Sequence, residues 1–303
     1  MALKHIKLKI QSVKKTSTVT RAMEAVSAVK MRKAQQRALS ARPYVLAALR
    51  ILRALSGSVD LSSHPFTTER AKGAVLILAI TSDKGLAGAL NSAVLRKIEN
   101  FIRGRNLKEK DVKFICLGKR GYEFATNRGY EVLHHHTNLS DDLDISEFEL
   151  ITKRVLAAFE DTNIQEVHAA YTNFKSTFEQ HAAMHKILPV AHEILEHIVD
   201  DIVHLRGKNI HAIDMHAASS YTIEPEAADV IALLLPMLVN ISIYHKLLES
   251  KASEHSARMV AMKSATDKAK ELARDLTRKF NKVRQAAITR EVSEITSGIE
   301  AMK

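Results

Sequence analysis

Residues 16–42 read TSTVTRAMEAVSAVKMRKAQQRALSAR, and this stretch decides the fold. It carries six Lys or Arg against one acid, Glu24, and has neither Gly nor Pro. Ala is its commonest residue, so it favours helix. Such a helix is basic on the outside and holds almost nothing large with which to anchor itself.

Working outward, steps of three and four from Leu3 pick out Ile6, Ile10, Val13, Ser17, Thr20, Glu24, Ser27, Met31, Ala34, Ala38, Ala41, Val45, Ala48, Leu52 and Leu55. Only Glu24 among them is charged, so the heptad template of a coiled coil fits. The seam is aliphatic at both ends and small in the middle, which lets a partner helix come close. Unbroken, residues 2–55 would run about 80 Å at 1.5 Å per residue. Pro43 predicts a kink or one loosened turn, and Gly57 with the polar residues after it predicts the end.

The C-terminal segment behaves similarly. No Gly occurs between Pro225 and Gly298. Pro225 suits a first helical turn, and Pro236 predicts a kink or break. From His245 the stripe runs through Leu248, Ala252, His255, Met259, Met262, Thr266, Ala269, Ala273, Leu276, Phe280, Val283 and Ala287. It then slips by one to Ile288, Val292, Ile295, Ile299 and Met302, as a straight helix drifts against a strict heptad. Residues 237–302 could span about 100 Å. Two such helices are best buried by pairing with each other, antiparallel and standing clear of the body, with the longer one overhanging the shorter.

Residues 70–215 read differently. AKGAVLILAITS, VKFICLG, YEVLHHH and EVHAAYTNF are strand-like, and ALNSAVLRKIENFI, KRGYEFATNRG and ISEFELITKRVLAAFED are helix-like. Strands alternating with helices argue an α/β domain with a mostly parallel sheet. Residues 182–224 are ambiguous; KILPVA could form a further strand. The expected organisation is an N-terminal helix over 1–58, an α/β domain over 70–215 and a C-terminal helix over 225–303.

The net charge of +11 is unevenly spread. Residues 1–59 hold 13 basic groups and one acid, and the rest of the chain is close to neutral. A charged element on a neutral body implies an acidic partner. Aromatic side chains that would stack on bases are scarce there, with Tyr44 alone, which argues against nucleic acid. The lone Cys116 lies in the apolar run FICLG and reads as a buried, inert thiol. No uninterrupted run of 18 apolar residues exists, so no bilayer-spanning helix is expected, nor does the N-terminus read as a signal or transit peptide.

No chemistry-bearing motif survives inspection. SDKGLAGAL follows a strand and opens a helix, as phosphate loops do, but lacks both glycine-rich spacings; a tight turn is the better reading. HEILEH (192–197) places its second His one residue beyond the i+4 position that a zinc helix needs. His134, His135 and His136 alternate across a strand and make a poor single site; they are expected to be exposed. Asp141, Asp142 and Asp144 read as a solvated loop. No catalytic, cofactor-binding or metal-binding residue is assigned.

TVTRAMEAVSAVKMRKAQ, ITSDKGLAGALN, ASEHSARMVAMKSATDKA and FNKVRQAAITREVSEITSG resemble, in that order, the gamma subunit of F-type ATP synthases. The resemblance spans nearly the whole chain, and the terminal blocks are its specific part. It implies a central-stalk rotor, non-catalytic and without a cofactor, that couples proton-driven rotation to ATP synthesis in a hexamer of alpha and beta subunits. It implies as further partners the epsilon subunit and the membrane c-ring, with no nucleic acid and no direct membrane insertion. By motif it places Arg21 and Met23 against acidic loops of the beta subunits, Arg258 on the opposing helix at that level, and Arg284, Gln285 and Thr289 nearer the tip. Glu224, in YTIEP, falls at the foot that meets epsilon and the ring. Without the cysteine-bearing insertion of the chloroplast form or a transit peptide, the expected place is the cytoplasmic face of a bacterial inner membrane, as a peripheral component.

Overall fold

The structure, a computed structural model, describes residues 2–56, 64–142, 145–161, 163–190 and 227–302. Two compact units divide the chain: residues 1–28 with 258–303, and residues 29–257. Helix α1 (Ala2–Ser56) continues unbroken through Pro43, so the helix does not end there. The last helix, α5 (Ala227–Glu300), likewise continues through Pro236. Each proline removes one donor from a long ladder that neighbouring turns sustain on both sides. Pro225 lies outside the described residues.

In the larger unit, the strands are β1 (Ala74–Ile80), β2 (Val112–Leu117), β3 (Glu131–His136), β4 (Ile164–Phe174) and β5 (Gln180–Leu188). Their order is β3-β2-β1-β4-β5. The first four run parallel, and β5 returns antiparallel to β4, with Tyr171 facing Ala183. The ambiguous region thus begins as an edge strand that starts before KIL, joined to β4 by a turn at 175–179. Helices α2 (Leu90–Gly104), α3 (Lys119–Asn127) and α4 (Ile145–Glu160) complete the domain.

The apolar run AVLILAI is buried on both faces, as a central parallel strand must be. Its alternate side chains part cleanly. Val75, Ile77 and Ala79 meet Val94 and Ile98 of α2 and Ala125 of α3. Leu76, Leu78 and Ile80 meet Phe148, Val155 and Phe159 of α4, together with Leu235, Leu238 and Leu247 of α5. The C-terminal helix therefore serves as one layer of an α/β sandwich. By hydropathy alone an 18-residue window of α5 (mean 1.7) qualifies for a bilayer, but 56% of that window is buried inside the protein. Counting uninterrupted apolar runs misses it, because an average tolerates interspersed polar residues.

Small side chains let α5 approach the sheet closely. Ser250, Ser253 and Ser256, three apart and so on one face, lie along β4 and the turn after it. Ser250 Oγ accepts from the Thr172 N–H at 3.0 Å, and Ser253 and Ser256 donate to the Thr172 and Thr177 carbonyls at 3.3 and 2.6 Å. At the end of β2, Gly118 holds φ +106°. A Cβ there would sit 2.1 Å from the Thr81 carbonyl oxygen, so only glycine fits.

Candidate functional site: a two-helix seam and its basic face

In the unit formed by residues 1–28 and 258–303, α1 and α5 pair along the seam read from the sequence. Thr20 and Thr266, both buried, place their hydroxyl oxygens 2.6 Å apart. Each hydroxyl also reaches a carbonyl on its own helix, Thr20 that of Ser17 at 3.2 Å and Thr266 that of Met262 at 2.8 Å, so either can donate across the seam. An antiparallel partner retreats one residue for each advance. The register set by this pair therefore puts Leu3 opposite Val283, Ile6 opposite Phe280, Ile10 opposite Leu276, Val13 opposite Ala273, Ser17 opposite Ala269, Glu24 opposite Met262 and Ser27 opposite Met259. Every one of these side chains is buried or half-buried. The two stripes picked out independently by their heptad spacing interlock residue for residue.

The seam ends where α1 begins. Beyond Ala287 the stripe of Ile288, Val292, Ile295, Ile299 and Met302 is exposed, Met302 by 89%. About 20 Å of α5 thus runs past the start of α1.

The residues singled out by resemblance fall at two levels of this pair. Arg21 is exposed and Met23 half-buried. Arg258 is buried, and the register sets it opposite Ala28, about 8 Å along the axis from Met23. Arg284, Gln285 and Thr289 are exposed, and lie where α1 starts and just beyond. Thr289 donates to the Gln285 carbonyl at 3.0 Å. The two groups are about 30 Å apart along the axis and do not form one site. Glu224 lies outside the described residues, as do HEILEH and Asp144.

The two helices carry their charge differently. On α5, basic groups are answered locally: Lys268 by Glu271 at 2.7 Å and Arg290 by Glu294 at 2.9 Å. On α1, Lys4, Lys7, Lys9, Lys14, Lys15 and Arg21 are exposed and make no ion pair among the described residues. Further along, in the larger unit, Lys30 and Arg37 are matched. Lys30 Nζ donates to Asp141 Oδ2 at 2.7 Å, and Arg37 donates to the Asp141 carbonyl and to the Asp142 carboxylate. This corrects the solvated-loop reading of Asp141 and Asp142. Nothing in the sequence near residue 141 announces partners more than a hundred residues away.

Among the described residues, the crevice that a nucleotide-binding reading needs is already filled. At the C-terminal ends of β1 and β2, where an open α/β sheet would bind a nucleotide, the polar groups are already spent. Asp83 Oδ1 accepts from the Lys119 N–H at 2.9 Å and Thr81 Oγ1 from the Gly121 N–H at 2.8 Å, which occupies the N-terminus of α3. Asn91 accepts from the Ser82 N–H and donates to the Ser82 hydroxyl, at 3.0 and 2.7 Å. The space left beside Ser82, Leu247, Ser250 and Glu254 is about 10 Å³, barely one water. SDKGLAG is a structural turn whose crevice α5 has filled.

His134 and His135 are exposed, and His136 is half-buried. Arg154 donates to His136 Nε2 at 3.0 Å, and His135 stacks on Tyr122. Burial, with Arg154 nearby, lowers the pKa of both His134 and His136. No cluster of three metal ligands exists among the described residues. Cys116 is buried, as expected, and burial pushes its thiol up to about 12.

Fold and seam together define a stalk-type protein, with an antiparallel helical pair in one unit and an α/β sandwich in the other. A family model described as ATP synthase matches residues 2–302. The ATP synthase gamma chain of Chloroherpeton thalassium is 36% identical over 99% of this chain and 98% of its own length. That of Roseiflexus castenholzii is 38% identical over the same shares. Among solved structures, a chain of the Euglena gracilis mitochondrial ATP synthase (the OSCP/F1/c-ring assembly in rotational state 3) shares the fold. Its TM-score is 0.65 at 17% identity, over 99% of this chain and 94% of that one. The chain belongs to the gamma-chain family of the F-type ATP synthases, the subunits of the central stalk.

Proposed function

We propose that this chain is the rotor shaft of a proton-translocating ATP synthase and does no bond chemistry itself. The paired helices, residues 1–58 and 225–303, turn inside a hexamer of alpha and beta subunits. The α/β domain, residues 70–215, forms the foot with Glu224, against the epsilon subunit and the membrane c-ring. The complex is peripheral, on the cytoplasmic face of a bacterial inner membrane. The observation that carries this reading is the basic face of α1 from Lys4 to Arg21, unanswered among the described residues, on a helix pair kept slim by Ser, Thr and Ala at its seam. Acidic loops of the beta subunits would supply the missing counter-charge at Arg21, with Met23 beside it and Arg258 facing the same loops from the opposing helix. Arg284, Gln285 and Thr289 would meet the hexamer nearer the tip.

Exposed ion pairs suit a shaft that must not lock. Each is worth about 0–1 kcal/mol, so each rotary position is left at little cost. The pair presents different faces to chemically identical beta subunits and biases each toward a different conformation through differential contact energy. Proton flow turns it in synthesis, and ATP hydrolysis turns it in reverse.

The test is a pull-down through a tag inserted in the β4–β5 turn, where Phe178 is 83% exposed. Alpha and beta subunits co-purify if the reading holds. A chain recovered alone, with affinity for nucleic acid falling steeply with salt, would overturn it.

A further inference from the structure

Asp141 stands at a convergence that the rotor reading does not use. Oδ2 accepts from Lys30, and the backbone carbonyl from Arg37. Oδ1 lies 3.0 Å from His255 Nε2 and 3.5 Å from Lys251 Nζ. Lys251 also donates to the Leu139 carbonyl at 3.0 Å, so the loop is held at two points. Lys30 and Arg37 are two turns apart on one face of α1, and Lys251 and His255 one turn apart on one face of α5. A single loop of the α/β domain thus touches both helices. The hydrogen bond from His255, with Lys30 and Lys251 adding to it, holds the carboxyl far below the usual range. Asp141 is therefore a charged acceptor, and His255 carries its proton on Nε2.

The two helices differ in how else they are held. Among the described residues, the clusters that pack the sheet take in seven side chains of α5, from Ile231 to Leu247, and none of α1 between Leu3 and Ser40. Apolar packing ties α5 to the domain. Over the same span α1 is tied to the domain by polar contacts, Lys30 and Arg37 onto Asp141 and Asp142.

We propose that Asp141 is a positioning residue for coupling: it latches α1 to the α/β domain, so that helix pair and domain turn as one body. The proposal rests on the rotor reading. Torque applied to the helices reaches α5's attachment through a packed core. On α1 it passes through the seam and this latch together, and without the latch only the narrow seam resists α1 shifting against the domain.

The experiment uses the whole complex in sealed vesicles, with ATP hydrolysis and ATP-driven acidification measured together. Asp141→Ala is expected to keep hydrolysis within about twofold while protons pumped per ATP fall about threefold or more, as loss of charge-assisted bonds allows. The deficit grows as the proton gradient builds and shrinks when the gradient is held near zero, which a general loss of stability would not produce. Asp141→Glu, which keeps the charge, recovers most of the ratio. Should Asp141→Ala fail to assemble, the double variant Lys30→Gln with Arg37→Gln opens the same latch from the α1 side and should uncouple likewise. A pumping ratio at the wild-type value in an assembled variant overturns the latch alone. Wild-type vesicles that hydrolyse ATP without pumping overturn the rotor reading and the latch with it.

Discussion

One helix, α5, lives in two environments. From Ile231 to Ser256 most of its side chains are buried, and from Leu247 to Ser250 all of them are. From Met262 to Ala273 only Met262, Thr266, Ala269 and Ala273 are buried, and beyond Ala287 none is. Backbone and propensity hardly change along it. What changes is how many neighbours the tertiary structure supplies. The first part is held by a core of Leu, Ile and Phe, the second by a strip one side chain wide. Core burial contributes about 1.5–3 kcal/mol per large apolar side chain, so stability belongs to the first part, and the second is free to be slender and charged.

Breaking the core should cost most. Leu238→Ala removes a side chain 1% exposed and should destabilise the domain by about 2–5 kcal/mol, read as a lowered urea midpoint at constant slope. Next comes the latch at the edge of that core. Asp141→Asn should cost about 1–2 kcal/mol at neutral pH. Because the folded carboxyl is depressed, its stabilisation is present above the unfolded value of about 3.9 and is lost as pH falls below it toward the folded one. The asparagine variant has no such charge to lose, so the gap between wild type and variant should narrow between pH 5 and pH 3. A constant gap would mean that charge is not what Asp141 supplies.

On the slender part the effects shrink. Thr266→Val takes the shared hydroxyl from the seam and should cost about 1 kcal/mol, seen as earlier loss of helical circular dichroism. Ile295→Ser, on the exposed stripe, should change the stability of the isolated chain by no more than about 0.5 kcal/mol. Smallest of all is the response of Cys116. With its thiol pushed up to about 12, it should resist thiol reagents at pH 8 until the domain is unfolded in urea.

Much of this was legible in advance. The seam positions followed from spacing alone, because helix periodicity brings residues three and four apart to one face wherever the helix sits. The buried strands followed from apolar runs bounded by turn residues. What the residues could not show was partnership. Ser250, Ser253 and Ser256 look like a solvent face, yet they lie against β4, since small side chains serve close approach as well as exposure. Asp141 and Asp142 look like a solvated loop, yet they bind cations from both ends of the chain. The positions singled out by resemblance were read as motifs, but their division into two levels about 30 Å apart needed the register.

By itself, then, the sequence determined the local matters: where helix and strand form, which face of each terminal helix is apolar, and that the excess charge sits at the N-terminus. These depend on neighbours within a few residues. The tertiary structure decided the strand order with its antiparallel edge, the pairing of Thr20 with Thr266, and the gathering of Lys30, Arg37, Lys251 and His255 around one carboxylate. Those depend on groups far apart in the chain, which chain-local patterns leave unspecified until packing brings them together.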